Sequence, residues 1–341
     1  MGLNKRWLSK IQAIFGSQAI ILMYHRIADL ACDPWELAVS PDNFEQQLQV
    51  LQKMGTVISL PTLADQLQAG SLKGKNIVLT FDDGYEDNFL IAKPLLEKYR
   101  IPATFFIPTE SISLKREFWW DELERIFIHT ETLPPQLNLN LLGEQLKFDF
   151  HKEVDLTDEL QKKHKSWKHN EPAPSIRSTV YMLLWQKLIG ATSTEQQQVL
   201  RELRHWAKLT EEARPGHHGM SEVQLKQLGA QPLFEIGSHT VTHTALGHQP
   251  AEIQRREIKE SKEYLENITG YKLQTFSFPN GSHNQSARNI LKTEGFTAAL
   301  TTDHLPVTKR TDRYQLSRFQ VNNWPAPEFQ KHLSRWMQGF S

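Results

Sequence analysis

The segment from Val78 to Tyr85, with the sequence VLTFDDGY, constrains this 341-residue chain more than any other. An apolar, β-prone run ends abruptly in two adjacent carboxylates, Asp82 and Asp83, and a glycine follows. Neighbouring carboxylates repel each other when both are ionised, so we expect a partner that separates their pKa values. A bound metal ion, or an acid–base role in catalysis that separates their pKa values, would account for the pair. The alternative is a turn or a helix cap without chemistry.

Two downstream segments share the position of this pair, directly after a predicted strand. The segment Ser238 to His243 follows the strand predicted at 234–237, and Pro279 to Gly281 follows the strand predicted at 274–278. In a βα barrel the carboxyl ends of all strands lie on one face, where active sites are built. We therefore expect these three segments to meet.

His239 and His243 lie four positions apart, which predicts two imidazoles on one side of a helical turn. That spacing allows both to bind one metal ion, although such a pair is also common by chance. One carboxylate would complete a His-His-Asp set with an open position for water. Successive strand residues point in opposite directions, so Asp82 and Asp83 are free to take different roles.

The rest of the chain alternates between predicted strands and helices, which favours a parallel sheet or a barrel. The rhythm breaks between residues 114 and 219, where the composition changes to Trp-rich, amphipathic and charged stretches. We predict a mostly helical insertion there. The predicted organisation is an N-terminal extension at 1–18, a barrel in two parts at 19–113 and 220–325, the insertion at 114–219, and a C-terminal helix at 326–341.

Composition excludes several classes of partner. The 39 basic and 39 acidic residues cancel, so no overall field attracts nucleic acid. A single cysteine, Cys32, excludes an internal disulfide and suits a reducing compartment. We expect no transmembrane span, because no run of about 18 apolar residues occurs. Residues 5–15 have the pattern of a short basic amphipathic helix, which would allow peripheral membrane contact. The absence of a clear signal peptide predicts a cytoplasmic location.

Two of these segments resemble a known family. Thr80 to Tyr85 (TFDDGY) and Ser238 to His243 (SHTVTH) resemble the first two motifs of the polysaccharide deacetylases, also called NodB-homology or carbohydrate esterase family 4 proteins. Phe276 to Gly281 resembles the third motif. Leu22 to Ile27 (LMYHRI) resembles the first strand of the branch that includes poly-N-acetylglucosamine deacetylases. The insertion falls outside this resemblance.

The resemblance implies an α/β fold, a deformed (β/α) barrel of the NodB-homology type. It implies a divalent metal, usually zinc, and hydrolysis of acetyl groups from N-acetylated sugars. Carried over by motif, Asp83, His239 and His243 hold the metal, and Asp82 is the base that activates water. The metal and a backbone N–H near Asn280 would stabilise the oxyanion.

The chain departs from the family pattern in two places. The third motif often carries an arginine that orients the base, but Phe276 to Phe278 contains none. Arg318 is the predicted substitute, with a surface arginine as the alternative. The family's fifth-motif histidine, which protonates the leaving amine, has no clear copy near the C-terminus. His25, at the end of the first strand, is a predicted catalytic-site residue on the same face, and the identity of the acid is left open.

Further side chains are predicted to contact the substrate. Tyr85, Pro279 and Asn280 would border the sugar, with a packed aromatic as the alternative for Tyr85. Phe118, Trp119, Trp120 and Trp185 would either stack on sugars or form a core. The predicted function is metal-dependent deacetylation of an N-acetylated glycan or its precursor. The alternatives are hydrolysis of a non-sugar amide on the same scaffold and carbohydrate binding without catalysis.

Overall fold

The computed structural model of the protein describes residues 16–113 and 116–339. These residues divide into two compact units. The first contains residues 16–29, 37–113 and 220–339, and the second contains residues 30–36 and 116–219. The amphipathic segment predicted at 5–15, and with it the predicted membrane contact, lies outside the described residues. Within the described ranges, no helix combines the length and apolarity needed to cross a bilayer.

The first unit is built on a largely parallel sheet. Seven strands carry its architecture: β1 (Gln18–Tyr24), β2 (Lys75–Phe81), β3 (Ala103–Ile107), β4 (Phe234–Ser238), β5 (Thr275–Ser277), β6 (Ala298–Leu300) and β7 (Phe319–Gln320). They lie in the order β6-β5-β4-β3-β2-β1-β7, and every neighbouring pair is parallel. Two short strands add to the sheet, Thr56–Val57 beside β2 and Val307–Thr308 antiparallel to β1. Arg26–Ile27 and Ala38–Val39 form a separate small ladder.

The segment 313–321 closes the sheet on itself. Its first half bonds to β6, where the Leu316 N–H donates to the Ala299 carbonyl at 2.9 Å. Its second half is β7, in which Phe319 pairs with Leu22 of β1. The sheet therefore has no open gap between β6 and β1. This closure confirms the predicted deformed (β/α) barrel.

The helices of the first unit begin and end largely where their local sequence predicts. Ser40 caps the first helix, because its hydroxyl accepts the Asn43 N–H at 3.3 Å. A π-helical turn at Asn88–Ala92 precedes Pro94, since proline supplies no N–H for a regular α-helical bond. The α-helices of this unit are Pro41–Met54, Leu60–Gln68, Lys93–Tyr99, Thr109–Ser113, Glu222–Gly229, Ala251–Thr269, Gln285–Thr293 and Ala326–Trp336.

Strand alternation separates two apolar clusters in the first unit. Ile20 and Leu22 of β1 pack in the cluster formed with the surrounding helices, whereas Ala19 and Ile21 pack in a smaller one with Phe106. The smaller cluster marks the inner face of the barrel. Further along the strands, polar residues replace the apolar ones on this face, and the site described below is built from them.

Gly237 on β4 admits no side chain. A Cβ at this position would lie 2.9 Å from the Thr275 hydroxyl and closer still to the Phe106 ring. We expect Gly237→Ala to lower the free energy of unfolding by about 1–3 kcal/mol, because overpacking forces neighbours off their rotamers. Gly190→Ala is the matched control, since no atom lies within 4 Å of its Cβ. Chemical denaturation of both variants measures the difference, and equal midpoints would contradict the prediction.

The second unit is mostly helical, with one β-hairpin. Leu30–Glu36 belongs to it together with the predicted insertion. Trp119 and Trp120 are more than nine-tenths buried in its core, and the Trp185 ring stacks on Trp35 at a centroid distance of 4.1 Å. Trp119 and Trp120 therefore belong to a core, and the partly buried Phe118 and Trp185 pack against it. Its elements are the helices Trp119–Glu124, Arg125–His129 (a π turn), Asp158–Ser166, Ile176–Leu188 and Ser193–Ala207, and the hairpin strands Gln136–Leu141 and Glu144–Asp149.

Candidate metal centre and active site

Asp83, His239 and His243 meet at the carboxyl ends of the barrel strands. The Asp83 Oδ1 atom lies 3.2 Å from His243 Nε2 and 3.6 Å from His239 Nε2. One potential ligand atom from each residue lies within 4.8 Å of the others. Asp83 and His239 are buried, and His243 is largely so. The structure thus brings together the three residues that the sequence predicts as metal ligands.

The hydrogen bonding of His239 suits a metal ligand. Its Nδ1 lies 2.7 Å from the Ser277 carbonyl oxygen, which can only accept, so Nδ1 carries the proton. The Nε2 lone pair then faces the Asp83 carboxylate. Asp83 Oδ1 accepts no hydrogen bond from any described residue. A lone pair and an unsatisfied carboxylate oxygen that face each other favour a cation between them, and the donor set fits a divalent metal.

The pKa shifts of Asp83 and His243 agree with a role as metal ligands. Burial raises the pKa of Asp83, but His243 and His239 outweigh it and hold the pKa well below its usual value. Burial lowers the pKa of His243, against the opposing effect of Asp83. At neutral pH Asp83 is therefore a carboxylate and His243 a neutral imidazole. These are the forms that bind metal ions.

The predicted helical turn between the two histidines is wrong. His239 directly follows β4, and the chain continues as a loop in which Thr240 has φ 67° and His243 has φ 55°. The left-handed region costs a non-glycine residue roughly 1–2 kcal/mol, so the surrounding contacts must hold this loop. The N–H groups of Thr109 and Glu110 donate to the carbonyls of Thr240 and Val241.

Glu257 is a site residue that the sequence reasoning missed. Its carboxylate Oε2 accepts the N–H groups of Val241 and Thr242, both at 2.9 Å, and Oε1 accepts the Thr242 hydroxyl at 3.0 Å. Its signal in the sequence is its place on the Ala251–Thr269 helix. There it shares the buried face with Ile258 and Leu265, where a charged residue is rarely tolerated without partners.

Arg318 holds Asp82 in a bidentate ion pair. The Nη1 and Nη2 atoms each lie 2.7 Å from one Asp82 oxygen, and Arg318 is fully buried. The remaining guanidinium donors bond to Thr80, Ser277 and the Thr301 carbonyl. Burial raises the pKa of Asp82, but Arg318 and then His239 lower it below its usual value. Arg318 thus lies where the sequence predicts the arginine that orients the base.

His25 lies beside the two carboxylates. β1 and β2 pair up to Tyr24 and Phe81, and the Asp82 N–H donates to the Tyr24 carbonyl at 2.9 Å. His25 directly follows β1 and contributes to lowering the pKa values of both Asp82 and Asp83. Its own carbonyl accepts the Asn88 amide at 2.8 Å. Its side chain is partly exposed, so it remains a candidate for contact with substrate.

The three predicted substrate contacts differ in exposure. Tyr85 is fully buried, and the Arg26 guanidinium lies 4.3 Å from the centre of its ring. This placement favours the packing role, because a sugar would reach Tyr85 only if the packing opened. Pro279 is buried as well. Asn280 is exposed and has φ 55°, in the turn that directly follows the β5 strand.

The strands form a closed parallel barrel, and a His-His-Asp cluster lies at their carboxyl ends. These two features define the protein as a barrel protein with a candidate metal centre. The sequence model of the family described as "Polysaccharide deacetylase" matches residues 69–132 and 188–299, more than half of the chain. The chain therefore belongs to the polysaccharide deacetylase family. Members of this family are generally metal-dependent, in agreement with the cluster.

A curated relative supports the assignment over part of its length. YxkH of Bacillus subtilis (strain 168), which carries the name of a polysaccharide deacetylase, is 32% identical over 111 residues. The match covers 32% of this chain and spans only 38% of the relative's length.

Three solved structures share the fold over nearly the whole chain. IcaB from Ammonifex degensii has a TM-score of 0.57 at 18% identity and covers 95% of this chain and 98% of its own. PplD from Streptococcus pyogenes, a deacetylase in complex with acetate, has a TM-score of 0.54 at 20% identity, with 94% and 98% covered. A de-N-acetylase from Aggregatibacter actinomycetemcomitans has a TM-score of 0.54 at 16% identity, with 92% and 99% covered. At these identities the likeness shows the fold alone.

Proposed function

We propose that the protein is a metal-dependent hydrolase that removes acetyl groups from N-acetylated sugars of a polysaccharide or its glycan precursor. One observation carries the proposal. The buried Asp83, His239 and His243 cluster lies beside a second carboxylate, Asp82, that Arg318 keeps ionised and fixed in orientation. Membership of the polysaccharide deacetylase family gives the reaction class.

Asp83 and the two histidines would hold the metal, and a His-His-Asp set suits zinc. When bound, a divalent cation polarises the acetyl carbonyl and lowers the pKa of water. Asp82 takes a proton from the attacking water. Among the described residues, Asp82 Oδ1 accepts only from Arg318 and keeps a lone pair for this proton, because a carboxylate oxygen accepts about two hydrogen bonds; Oδ2 accepts from both Arg318 and the Ser277 hydroxyl.

The remaining steps are assigned to His25 and Asn280. The water oxygen bonds to the acetyl carbon, and a backbone N–H near Asn280 would stabilise the negative oxygen that results. The carbon–nitrogen bond then breaks. His25 gives a proton to the leaving nitrogen, so that acetate and a free amine are released. The position of His25 beside both carboxylates supports this role.

Asp82→Asn tests the base. An amide of the same shape cannot take a proton from water, so we expect the rate of acetate release to fall by about 10²–10⁴-fold. Zinc binding should remain, since Asp82 is not one of the three proposed ligands. Asp29→Asn is the control, because Asp29 is exposed on the surface. Acetate release from Asp82→Asn at the parent rate would refute the mechanism.

A substrate panel separates this function from its rivals. The zinc-loaded protein is incubated with N-acetylglucosamine oligomers, other N-acetylated glycans and simple non-sugar acetamides, and released acetate is measured. We expect release from at least one glycan. Release from the acetamides alone would support the amide hydrolase, and glycan binding without any release would support a non-catalytic binding protein.

A further inference from the structure

The loop from Thr240 to His243 depends on a residue outside the three ligands. Two residues of the loop have positive φ, and a β-branched side chain such as that of Thr240 rarely adopts it. His243 takes its position from this strained loop. By contrast, His239 adjoins β4 and is fixed by the Ser277 carbonyl through its own ring.

We propose that Glu257 is the positioning residue for the metal ligand His243. This inference rests on the metal centre of the proposed function and assigns it a further residue. The Glu257 carboxylate binds the two N–H groups just before His243, those of Val241 and Thr242, and also the Thr242 hydroxyl. It thereby fixes the backbone from which the His243 ring projects.

The environment of Glu257 supports a dedicated role. The residue is 2% exposed, on the buried face of the Ala251–Thr269 helix. Arg256 is its nearest cation among the described residues, at the edge of ion-pair range with 4.0 Å between Nη2 and Oε1. The three bonds to the loop, at 2.9–3.0 Å, are much closer. A buried carboxylate is retained where hydrogen bonds satisfy it, and here the loop supplies them.

Glu257→Gln tests the proposal through metal binding rather than activity. The amide keeps the shape of the side chain and one oxygen for the two N–H groups, but it loses the negative charge that strengthens these bonds, and its NH₂ group cannot accept the Thr242 hydroxyl. We expect the dissociation constant for Zn²⁺, measured by competition with a chromophoric chelator, to rise by about 10–100-fold. The absorption spectrum of the Co²⁺-loaded variant should also change, because it reports the geometry of the ligands. Glu260→Gln, on the exposed face of the same helix, should match the parent.

Thr242→Val is a second variant that keeps the carboxylate. It removes only the hydroxyl bond to Glu257, so we expect a rise in the Zn²⁺ dissociation constant of about 3–10-fold. If Glu257→Gln fails to fold, Thr242→Val alone tests whether the contact with Glu257 affects metal binding. A dissociation constant and Co²⁺ spectrum equal to those of the parent, in the folded Glu257→Gln protein or otherwise in Thr242→Val, would overturn the proposal. Failure of the parent itself to bind Zn²⁺ would instead overturn the metal centre of the proposed function.

Discussion

Replacing Arg318 with methionine is expected to lower the free energy of unfolding by about 3–5 kcal/mol, because it leaves the buried Asp82 carboxylate without its counter-charge. Arg318 is fully buried, and its two short bonds to Asp82 are the main force holding the pKa of that carboxyl below its usual value. Without the arginine, burial dominates and the pKa of Asp82 rises. The variant should therefore also lose acetate release. Urea denaturation monitored by circular dichroism measures the stability.

A double-mutant cycle separates the ion pair from the rest of the packing. Asp82→Asn combined with Arg318→Met removes both charges, so it should be more stable than the sum of the single effects predicts. Arg318→Lys keeps the charge but cannot form the bidentate ion pair, so we expect an intermediate loss of stability. Arg201→Met, at an exposed helix position, is the control. Additive losses in the cycle would show that the pair is not coupled.

The strands and their chemistry could be predicted from the sequence because each motif carries its own local signal. An apolar β-prone run that ends in polar residues places Asp82 and Asp83 at the end of β2, and the same pattern places His239 at the end of β4. The carboxyl ends of parallel strands then share one face of the barrel. The convergence of the cluster thus follows from topology and needs no knowledge of individual contacts.

The supporting contacts could not be predicted in the same way. Arg318 lies 236 positions from Asp82, and only the closure of the barrel by β7 brings the two together. The spacing of His239 and His243 predicted a pair that the structure does bring together, but the helical turn behind this prediction is wrong, because their loop is not helical. Its conformation depends on bonds to Glu257, whose place on the buried face of its helix signals that it has a partner but does not identify the loop as that partner.

The direction in which a side chain points is a third feature that could not be predicted from the sequence. The sequence places Tyr85 next to the carboxylates, but a residue one or two positions beyond a strand end can turn either toward the cleft or into the core. Here the ring turns into the core and packs against Arg26. The aromatic residues of the second unit show the same ambiguity, since a tryptophan face suits a sugar and a core equally well.

Glu235 is expected to make the stability of the fold fall as pH rises from about 4.5 to 7. Its side chain accepts the hydroxyls of Thr104 and Thr275 on the neighbouring strands, and burial raises the pKa of the carboxyl to about 7. The folded state therefore holds a proton that the unfolded chain, with an ordinary glutamate pKa, has already released. Since the folded state binds more protons in this window, stability is complete below it and is lost as pH rises through it.

Glu235→Gln removes this dependence, because the amide is neutral at every pH and can still bond to both threonines, accepting one hydroxyl through its oxygen and donating to the other from its NH₂ group. We expect the variant to match the parent near pH 4.5 and to exceed its free energy of unfolding by about 3 kcal/mol near pH 8. The difference between variant and parent at each pH cancels the other titrating groups, including His164, whose pKa burial lowers to about 4. Glu260→Gln should give a flat difference across the range. A flat difference for Glu235→Gln as well would mean that Glu235 is ionised in the fold at the same pH as in the unfolded chain, and that the barrel stabilises its charge instead of excluding it.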